Sequence, residues 1–402
     1  MDEHVAIVGG GQAGASLAMQ LRARGFAGRI TIYGDEPHLP YQRPPLSKKY
    51  LSGEWEKERL LLRSTSFWDD NRIDMRVGHP VESLDPVRRV LVCGGETVGW
   101  TKLALTTGSS PRPLPAELRT FDNVCELRSV HDAERMQRHF RAARKMLVVG
   151  GGFIGLETAA VAVKAGLSVT VLETADRILQ RAVCATTSDY FRRLHQGHGV
   201  RIIEGESIVR AGGEGDGLVR RVELTGGEQI EVDLVLVGIG VLPNARLATD
   251  AGIRTQDGIL VDEHGRTSAR DVWAAGDCTV FPMQGEMTRI ESVQNAIDQA
   301  EAVADDMLGV ATPYAPVPWF WSDQYEIKLQ IAGWNRGYTD VVTRESDRGP
   351  SNWYFRAGRL VAVDSINDAR TFMTAKKLLS QGIAVAPSVL ADGGFDPRML
   401  LT

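Results

Sequence analysis

A ten-residue pattern that occurs twice constrains the fold of this chain more than any other feature. Residues 5–14 read VAIVGGGQAG, and residues 146–155 read MLVVGGGFIG. Each copy is an apolar run that ends in a GxGxxG sequence. Glycines permit a tight turn between a strand and a helix, and they let the backbone of the turn approach a phosphate group closely. Each copy therefore predicts a buried strand, a glycine turn and the start of a helix.

The residues that follow each glycine turn complete the same unit. Alanine-rich stretches predict helices, and β-branched runs then predict a second strand, at residues 15–24 and 29–33 in the first copy and 156–165 and 168–172 in the second. An acidic residue closes each copy, either Asp35 or Glu36 in the first and Glu173 in the second. A carboxylate at this distance from the turn accepts hydrogen bonds from an adenosine ribose. Two complete units predict an α/β protein that binds two dinucleotides.

The remainder of the chain contains two further buried strands and a region of different character. Apolar runs at 103–108 and 234–238 both end at glycine, which is typical of parallel strands that border a ligand crevice. From about Pro318, strand-like runs containing tryptophans dominate, and one helix is predicted near residues 369–381. The predicted strand runs are 319–331, 338–343, 352–355 and 360–363. This change predicts a separate α+β domain at the end of the chain.

Charge and hydropathy disfavour two classes of function. The 46 basic and 51 acidic residues give a formal net charge of −5, whereas a nucleic-acid-binding domain usually carries a basic surplus. No apolar run approaches the roughly 18 residues that a membrane-spanning helix needs. The sequence enters an apolar strand at Val5 without the pattern of a targeting segment. Neither nucleic acid nor a membrane is an expected partner.

The cysteines favour a reducing compartment. Cys93, Cys125, Cys184 and Cys278 are too widely spaced for a CxxC pair or a zinc site, so no metal site is predicted. Four scattered thiols in a chain of 402 residues are typical of cytoplasmic proteins. We therefore expect a soluble, cytoplasmic protein.

Eight ordered segments carry a resemblance to one family. They are residues 9–14, 41–48 (YQRPPLSK), 107–108, 150–157, 238–244 (GIGVLPN), 275–277 (AGD), 289–296 (RIESVQNA) and 318–325 (PWFWSDQY). Together they resemble the FAD-dependent NADH:ferredoxin reductases of bacterial oxygenase systems, the putidaredoxin reductase-like group that includes the reductase components of aromatic-ring dioxygenases. Apoptosis-inducing factor is a more distant relative of this group.

The resemblance implies a fold and an activity. It implies two Rossmann-type dinucleotide-binding domains of the glutathione-reductase-like kind, with the NAD domain inserted in the FAD domain, and a C-terminal α+β domain. The implied boundaries are 1–109 and 243–317 for the FAD domain, 110–242 for the NAD domain and 318–402 for the C-terminal domain. Such proteins oxidise NADH through non-covalent FAD. They pass single electrons to a 2Fe–2S ferredoxin, which feeds a haem-thiolate monooxygenase or a ring-hydroxylating dioxygenase.

The resemblance also assigns residues to the FAD site. Asp35 would hold the adenosine ribose, with Glu36 as the alternative. Ala13 and Arg43 would lie near the pyrophosphate, and Lys48 near the reactive edge of the flavin. Pro45 would pack on the isoalloxazine ring, and the helix that begins at Val293 would point its N-terminus at the flavin. The other implied FAD residues are Gly9, Gly11, Gly14, Val81, Thr107, Gly108, Arg128, Asp277, Glu291 and Trp321.

On the NAD side, Glu173 would hold the ribose 2′-hydroxyl. A carboxylate there repels a 2′-phosphate, so NADH should be preferred over NADPH. Arg177 is either a partner for that phosphate or, as the preferred explanation, a surface charge. Glu157 would form an ion pair with Lys48 beside the stacked rings. These two residues would position flavin and nicotinamide, and no acid or base is required. The other implied NAD residues are Gly150, Gly152, Ile154, Gly155 and Gly240.

A basic rim would steer an acidic ferredoxin to the protein. Its candidates are Arg289, Lys328, Lys376 and Lys377, and an ordinary solvated helix face is the alternative explanation of the lysine pair. Glu301 and Gln330 stand where relatives can carry a basic residue, so the partner of a close relative need not be accepted.

Three other activities share parts of this pattern. A rubredoxin reductase has nearly the same motifs and differs in its acceptor. An NADH-sensing flavoprotein of the apoptosis-inducing-factor type is disfavoured because the chain lacks a basic surface. Disulfide reductases of the same fold carry a CxxxxC pair after the first unit, where this chain has Pro44, Pro45, Leu46 and Ser47.

Overall fold

The computed structural model describes residues 3–392 and 395–401. These residues form two compact units. The first unit contains the described residues of Met1–Gln42, Lys57–Ser110 and Val241–Pro316. The second unit contains those of Arg43–Glu56, Pro111–Gly240 and Val317–Thr402. The segment Arg43–Glu56, which begins with the proline-rich loop around Pro44 and Pro45, and the C-terminal region therefore cluster with the segment that the resemblance assigns to NAD.

A five-stranded parallel sheet forms the centre of the first unit. Its strands lie in the order Val272–Ala274, Lys102–Leu105, His4–Val8, Arg29–Gly34 and Ile73–Val77. The helices Gln12–Ala23 and Val293–Met307 share an apolar core in which Leu17, Leu21 and Val303 are buried. Because His4–Val8 runs directly into the first glycine turn, that turn lies at the carboxyl edge of the sheet.

Smaller elements complete the first unit. One antiparallel sheet contains Val81–Asp85, Val90–Cys93 and Glu96–Gly99, and a second small sheet contains Ile259–Leu260, Thr279–Met283 and Glu286–Thr288. The short helices are Lys57–Leu60, Thr65–Asp70 and Arg246–Asp250. The strands Ser109–Pro111 and Val241–Pro243 lie where the chain passes from one unit to the other.

The second unit repeats the parallel architecture. Its strands lie in the order Arg201–Glu204, Ser168–Glu173, Lys145–Val149, Leu234–Val237 and Val124–Cys125. Its helices in this part are Pro44–Ser47, Val130–Phe140, Phe153–Lys164 and Ala185–Gly197. A small antiparallel sheet contains Ile208–Gly212, Arg221–Leu224 and Gln229–Glu231.

The C-terminal part of the second unit is an antiparallel sheet covered by a helix. Its strands lie in the order Trp319–Gln324, Ile327–Gly333, Arg359–Ile366, Ser351–Arg356 and Asp340–Arg344. The helices are Ala369–Ser380, Pro387–Ala391 and Pro397–Leu401. Trp353, Phe355 and Val363 of the sheet pack with Phe372 and Leu378 of the first helix. The predicted α/β class, with two parallel sheets and an α+β C-terminal region, is confirmed.

Three predicted elements differ clearly in their bounds. Gly11 and Gly152 are extended N-cap residues, so the helices begin at Gln12 and Phe153, three residues before the alanine-rich stretches. The single run predicted at 319–331 is two strands, because Tyr325 adopts a positive φ of 56° and the chain turns back there. No described helix is long and apolar enough to cross a membrane.

A buried polar network joins the helix Ala185–Gly197 to the antiparallel sheet. The fully buried Asp364 accepts hydrogen bonds from Thr187 Oγ1 at 2.7 Å and from the Tyr354 hydroxyl. Asn352 Nδ2 donates to Thr187 Oγ1 at 2.8 Å. Among the described residues, Asp364 Oδ1 has no hydrogen-bond partner. Burial raises the pKa of Asp364 to about 7, because the charged form is poorly solvated there.

This network predicts a stability that falls as pH rises. The folded state binds the Asp364 proton more tightly than the unfolded state, in which the pKa of this carboxyl lies near 3.8. The contribution of Asp364 is therefore present at low pH and is lost as pH rises towards 7. The substitution Asp364→Asn should reduce the fall in the free energy of unfolding between pH 5 and pH 8 by about 1–3 kcal/mol.

Urea unfolding at several pH values measures this effect. Asp340→Asn, which changes an exposed carboxylate on the same sheet, is the matched control and should leave the pH profile unchanged. An Asp364→Asn profile parallel to that of the unchanged protein would contradict the assignment.

Candidate active site

The first glycine turn combines close packing with an open middle position. A Cβ atom at Gly9 would lie 2.1 Å from Thr106 O, and one at Gly14 would lie 2.1 Å from Gly9 O. A Cβ atom at Gly11 would meet nothing within 4 Å. The outer glycines therefore allow the helix to pack on the sheet, and the middle position leaves backbone accessible to a phosphate.

Other implied FAD segments lie against this turn within the first unit. Gly276 has a positive φ of 86°, and a Cβ atom there would lie 3.1 Å from Ala13 Cβ and 3.8 Å from Ala296 Cβ. The loop that carries Asp277 therefore contacts both the glycine turn and the first part of the helix Val293–Met307. Asp277 Oδ2 accepts a hydrogen bond from Ser109 Oγ at 2.8 Å.

Asn244 holds the Thr107–Gly108 pair in place. Thr107 Oγ1 donates to Asn244 O at 2.6 Å, and Asn244 Nδ2 donates back to Thr107 O at 2.9 Å. The Asn244 amide donates to Gly108 O at 2.9 Å. The resemblance implies FAD contacts for Thr107 and Gly108 but no role for Asn244. The hydrogen bonds of Asn244 to both residues depend on the tertiary fold, because Asn244 is distant from them in sequence.

The two acidic candidates after the strand Arg29–Gly34 differ in their surroundings. Glu36 Oε2 accepts a hydrogen bond from the Tyr41 hydroxyl at 2.6 Å. Asp35 is exposed, and its Oδ1 accepts from the Glu36 amide at 3.1 Å. Asp35 is therefore the more accessible carboxylate at the carboxyl end of this strand, which favours it for a ribose.

Two further implied residues of the first unit lie elsewhere, Val81 in a small sheet and Glu291 in a loop. Val81 is half-buried and begins the strand Val81–Asp85. Glu291 forms an ion pair with Arg289, which also pairs with Asp257 at 3.5 Å. The Arg289 side chain is only 15% exposed. Arg289 therefore differs from the expectation of an exposed basic rim, because two carboxylates neutralise it and the surrounding chain covers it.

The second glycine turn has the same construction. A Cβ atom at Gly150 would lie 2.4 Å from Gly238 O, and one at Gly155 would lie 2.2 Å from Gly150 O. Gly152 is open, and Ile154 beside it is 40% exposed. This turn therefore also offers accessible backbone at the start of a helix.

Glu173 is fixed at this second turn by backbone amides. Its Oε2 accepts from the Gly151 amide at 2.8 Å, and its Oε1 accepts from the Ala175 amide at 2.9 Å. Arg177 donates to the carbonyls of Gln180, Val183 and Cys184 at 2.9–3.3 Å. Because its guanidinium is already bound by the backbone, Arg177 is a poor candidate for a 2′-phosphate.

Gly240 lies beside two arginines of the second unit. It has a positive φ of 103°, and a Cβ atom there would lie 3.5 Å from Arg112 Nε and 3.8 Å from Arg181 Nη2. Both arginines are exposed. Sequence reasoning named Gly240 but not these two cations, since only the fold brings them to the same turn.

The proline-rich loop is anchored to the second unit. Arg43 precedes the short helix Pro44–Ser47, in which Pro45 is half-buried. Arg43 Nη1 donates to Arg128 O at 2.7 Å. The Arg128 amide in turn donates to Asp132 Oδ2 at 3.1 Å. Arg43 and Arg128, which the resemblance assigned to the same cofactor, therefore lie together.

A buried carboxylate forms the centre of the site. Glu157 lies in the first turns of the helix Phe153–Lys164, and its side chain is 5% exposed. Lys48 Nζ donates to Glu157 Oε2 at 2.5 Å, and Ser47 Oγ donates to the same atom at 2.6 Å. Ser322 Oγ donates to Oε1 at 2.7 Å. The predicted Lys48–Glu157 ion pair is present, and two hydroxyl groups also donate to the carboxylate.

Ser47 and Ser322 are site residues that sequence reasoning missed. Both lie inside motifs that carry the resemblance, in which the resemblance implies roles for their neighbours Lys48 and Trp321. Successive residues of a strand point to opposite faces, so Ser322 reaches Glu157 while Trp321 points away from it. Trp321 shares its face with Trp319, and their ring centroids lie 5.6 Å apart.

The lysines of the C-terminal region differ in exposure. Lys376 Nζ lies 5.0 Å from the centroid of the Trp319 ring, and Lys377 is exposed. Lys328 pairs with Asp323 at 3.5 Å and is 54% exposed. Lys328 and Lys377 are therefore accessible. Glu301 is exposed and Gln330 is half-buried.

Family comparisons agree with this geometry over nearly the whole chain. Residues 3–300 match the pyridine nucleotide-disulphide oxidoreductase family, and residues 319–401 match the reductase C-terminal family. The chain belongs to the pyridine nucleotide-disulphide oxidoreductases. Members of this family and its ferredoxin reductase relatives bind FAD and NAD(H). Both glycine turns, each with an open middle position and a nearby acidic residue, fit these dinucleotides.

Individual relatives of this oxidoreductase are ferredoxin reductases. Rhodocoxin reductase of Rhodococcus erythropolis is 42% identical over 99% of this chain and 94% of its own. The solved ferredoxin reductase for the CYP199A2 system of Rhodopseudomonas palustris is 38% identical, covers 100% of both chains and has a TM-score of 0.97. A covalent putidaredoxin reductase–putidaredoxin complex covers 99% of this chain and 98% of its own at 36% identity, with a TM-score of 0.95.

The Lys48–Glu157 pair yields a matched test. Lys48→Met and Glu157→Gln should each slow reduction of the bound flavin by NADH at least about tenfold and lower the free energy of unfolding by about 1–3 kcal/mol, because each leaves a buried partner unpaired. Stopped-flow absorbance and urea unfolding measure the two effects.

Lys49→Met provides the control, since Lys49 is the next residue but is exposed and lies over the Trp55 ring. It should leave flavin reduction unchanged. Unchanged reduction in the Lys48→Met and Glu157→Gln variants would refute the role of the pair.

Proposed function

We propose that this protein is an FAD-dependent NADH:ferredoxin reductase that delivers single electrons to a 2Fe–2S ferredoxin of an oxygenase system. The observation that carries the proposal is the buried Glu157 carboxylate, hydrogen-bonded by Lys48, Ser47 and Ser322 just after the second glycine turn. Ferredoxin reductases aligned over nearly the full chain give the same indication. A haem-thiolate monooxygenase or a ring-hydroxylating dioxygenase would be the terminal enzyme.

The two units would hold different parts of the cofactors. In the first unit, the open turn at Gly11 and the adjoining Ala13 would bind the FAD pyrophosphate, Asp35 the adenosine ribose, and Asp277 a hydroxyl of the ribityl chain. In the second unit, the turn at Gly152 would bind the NAD pyrophosphate. The other residues that the resemblance implies would contact the same two cofactors. The FAD domain would contain residues 1–109 and 243–317, the NAD domain 110–242 and the C-terminal domain 318–402.

Bound FAD supplies the conversion between a two-electron hydride donor and a one-electron acceptor. The chain's own residues bind and orient the groups. Glu173 accepts hydrogen bonds from a ribose and repels a 2′-phosphate. Glu157 would supply a fixed negative charge beside Lys48, which would stabilise positive charge on a nicotinamide bound there. None of these roles needs a side chain to donate or accept a proton.

The cysteines support electron transfer over disulfide chemistry. All four are free and buried. Burial raises the pKa of Cys125 to about 11, so its reactive thiolate is scarce at neutral pH. Buried free thiols are also typical of a reducing compartment, and we propose a cytoplasmic location.

Glu173 should determine the choice between NADH and NADPH. Glu173→Gln keeps the shape of the side chain but removes its charge, so the ratio of kcat/KM for NADH over NADPH should fall about tenfold or more. Steady-state reduction of ferricyanide with each dinucleotide measures the ratio. Glu231→Gln, an exposed carboxylate in the same unit, is the control, and an equal fall in both variants would argue against this role.

The acceptor is tested by NADH-driven reduction of cytochrome c with an added 2Fe–2S ferredoxin or with rubredoxin. The rate should depend strongly on the ferredoxin, because cytochrome c then receives its electrons through the iron–sulfur protein. Raising the ionic strength should slow this reaction if a basic rim steers the encounter.

Each other result identifies an alternative. Activity with rubredoxin alone would make the protein a rubredoxin reductase. Slow flavin reduction with a long-lived complex, and no transfer to either acceptor, would favour an NADH sensor of the apoptosis-inducing-factor type. Absence of flavin reduction by NADH would overturn the cofactor assignment itself.

A further inference from the structure

A chain of buried polar side chains leads away from the Glu157 carboxylate. Ser322 Oγ lies 2.7 Å from Glu157 Oε1, and Gln324 Nε2 lies 3.1 Å from Ser322 Oγ. Gln324 Oε1 lies 2.8 Å from His195 Nε2. The Tyr325 hydroxyl lies 3.3 Å from His195 Nδ1. All of these residues belong to the second unit, and only the last link is partly exposed.

The strand Trp319–Gln324 explains why these side chains meet. Ser322 and Gln324 are two residues apart and therefore share one face of the strand. On that face, Ser322 reaches Glu157 of the helix Phe153–Lys164, and Gln324 reaches His195 of the helix Ala185–Gly197. A single strand thus connects the two helices through hydrogen bonds.

The direction of each hydrogen bond in this series, from Tyr325 to Glu157, is determined. A carboxylate can only accept, so Ser322 donates to Glu157, and its oxygen accepts from the Gln324 amide group. The Gln324 oxygen then accepts from His195 Nε2–H. Burial lowers the pKa of His195 to about 4, so the neutral ring keeps an acceptor at Nδ1 for the Tyr325 hydroxyl. All four donors therefore point towards Glu157.

Burial makes this arrangement rigid. Ser322, Gln324 and His195 each have no measurable exposure. A buried polar group that loses its partner costs about 1–3 kcal/mol, so each member strongly favours its present orientation. Hydrogen bonds aligned in one direction also polarise one another, which strengthens the final donor to the carboxylate.

We propose that Gln324 and His195 are positioning residues for the transfer of hydride from NADH. Acting through Ser322, they hold the Glu157 carboxylate in one orientation beside Lys48. This inference rests on the proposed function, in which Glu157 faces the nicotinamide. A fixed carboxylate stabilises developing positive charge without reorganising during the reaction, whereas a mobile one would not.

A double-mutant cycle tests the proposal. Gln324→Met, Glu157→Gln and the double variant are compared as holoproteins, by stopped-flow reduction with NADH and by calorimetric binding of NAD⁺. Gln324→Met should slow reduction and weaken NAD⁺ binding, each about tenfold, since it breaks the link to a charged acceptor. In the Glu157→Gln background the same substitution should change either quantity less than about twofold.

The control separates positioning from general damage to the sheet. Ser365→Ala removes a buried hydroxyl of the same sheet that donates to Asp368 O at 2.5 Å, and it should change neither reduction nor binding. Equal effects of Gln324→Met in both backgrounds would overturn the proposal. If Gln324→Met does not fold, Gln324→Glu, which keeps the shape but replaces the donor, should give the same pattern.

A spectroscopic measurement tests this series of hydrogen bonds independently of activity. Nitrogen-15 NMR of histidine-labelled protein should show His195 as the Nε2–H tautomer at pH 7. An Nδ1–H or doubly protonated ring would overturn the inference even if the protein is a reductase. Conversely, failure of the unchanged protein to bind NAD⁺ or to be reduced by NADH would refute the proposed function. The tautomer of His195 would still show whether the hydrogen bonds run in the direction inferred here.

Discussion

The second unit depends on a carboxylate that is removed from water. A buried anion is costly unless a cation and several donors surround it, and Glu157 obtains them from separate parts of the chain. Lys48 and Ser47 come from the proline-rich loop, and Ser322 comes from the C-terminal sheet. These contacts require the loop and the strand Trp319–Gln324 to meet at the start of one helix, which explains why both cluster with the second parallel sheet.

The two glycine turns have the same construction. In each unit, a parallel strand ends at a turn whose outer glycines pack against neighbouring backbone and whose middle position is open. The acidic residues differ more than the turns do. Glu173 is held by two backbone amides, whereas Asp35 is exposed and Glu36 is bound by Tyr41. The turn therefore follows from glycine geometry, and the surroundings of the acid depend on each unit.

Much of this arrangement could be predicted because it depends on local pattern. The glycine turns and the parallel strands follow from spacing and apolar periodicity. The helix that begins at Val293 and the Lys48–Glu157 pair follow from the resemblance. The differences have local causes that sequence reasoning did not weigh. Gly11 and Gly152 act as N-caps, and Tyr325 turns the chain within an apparently continuous strand. The burial of Arg289 between Asp257 and Glu291 depends on residues distant in sequence.

The sequence by itself determined that the chain contains two dinucleotide-type units, because glycine positions and apolar periodicity act over a few neighbouring residues. It also determined the absence of a CxxxxC pair and of a basic surplus. Only the tertiary structure decided that Ser47 and Ser322 share Glu157, and that Gln324 continues the line of donors to His195. Those contacts join residues more than a hundred positions apart, and their partners are selected by burial, which removes water as a competing hydrogen-bond partner.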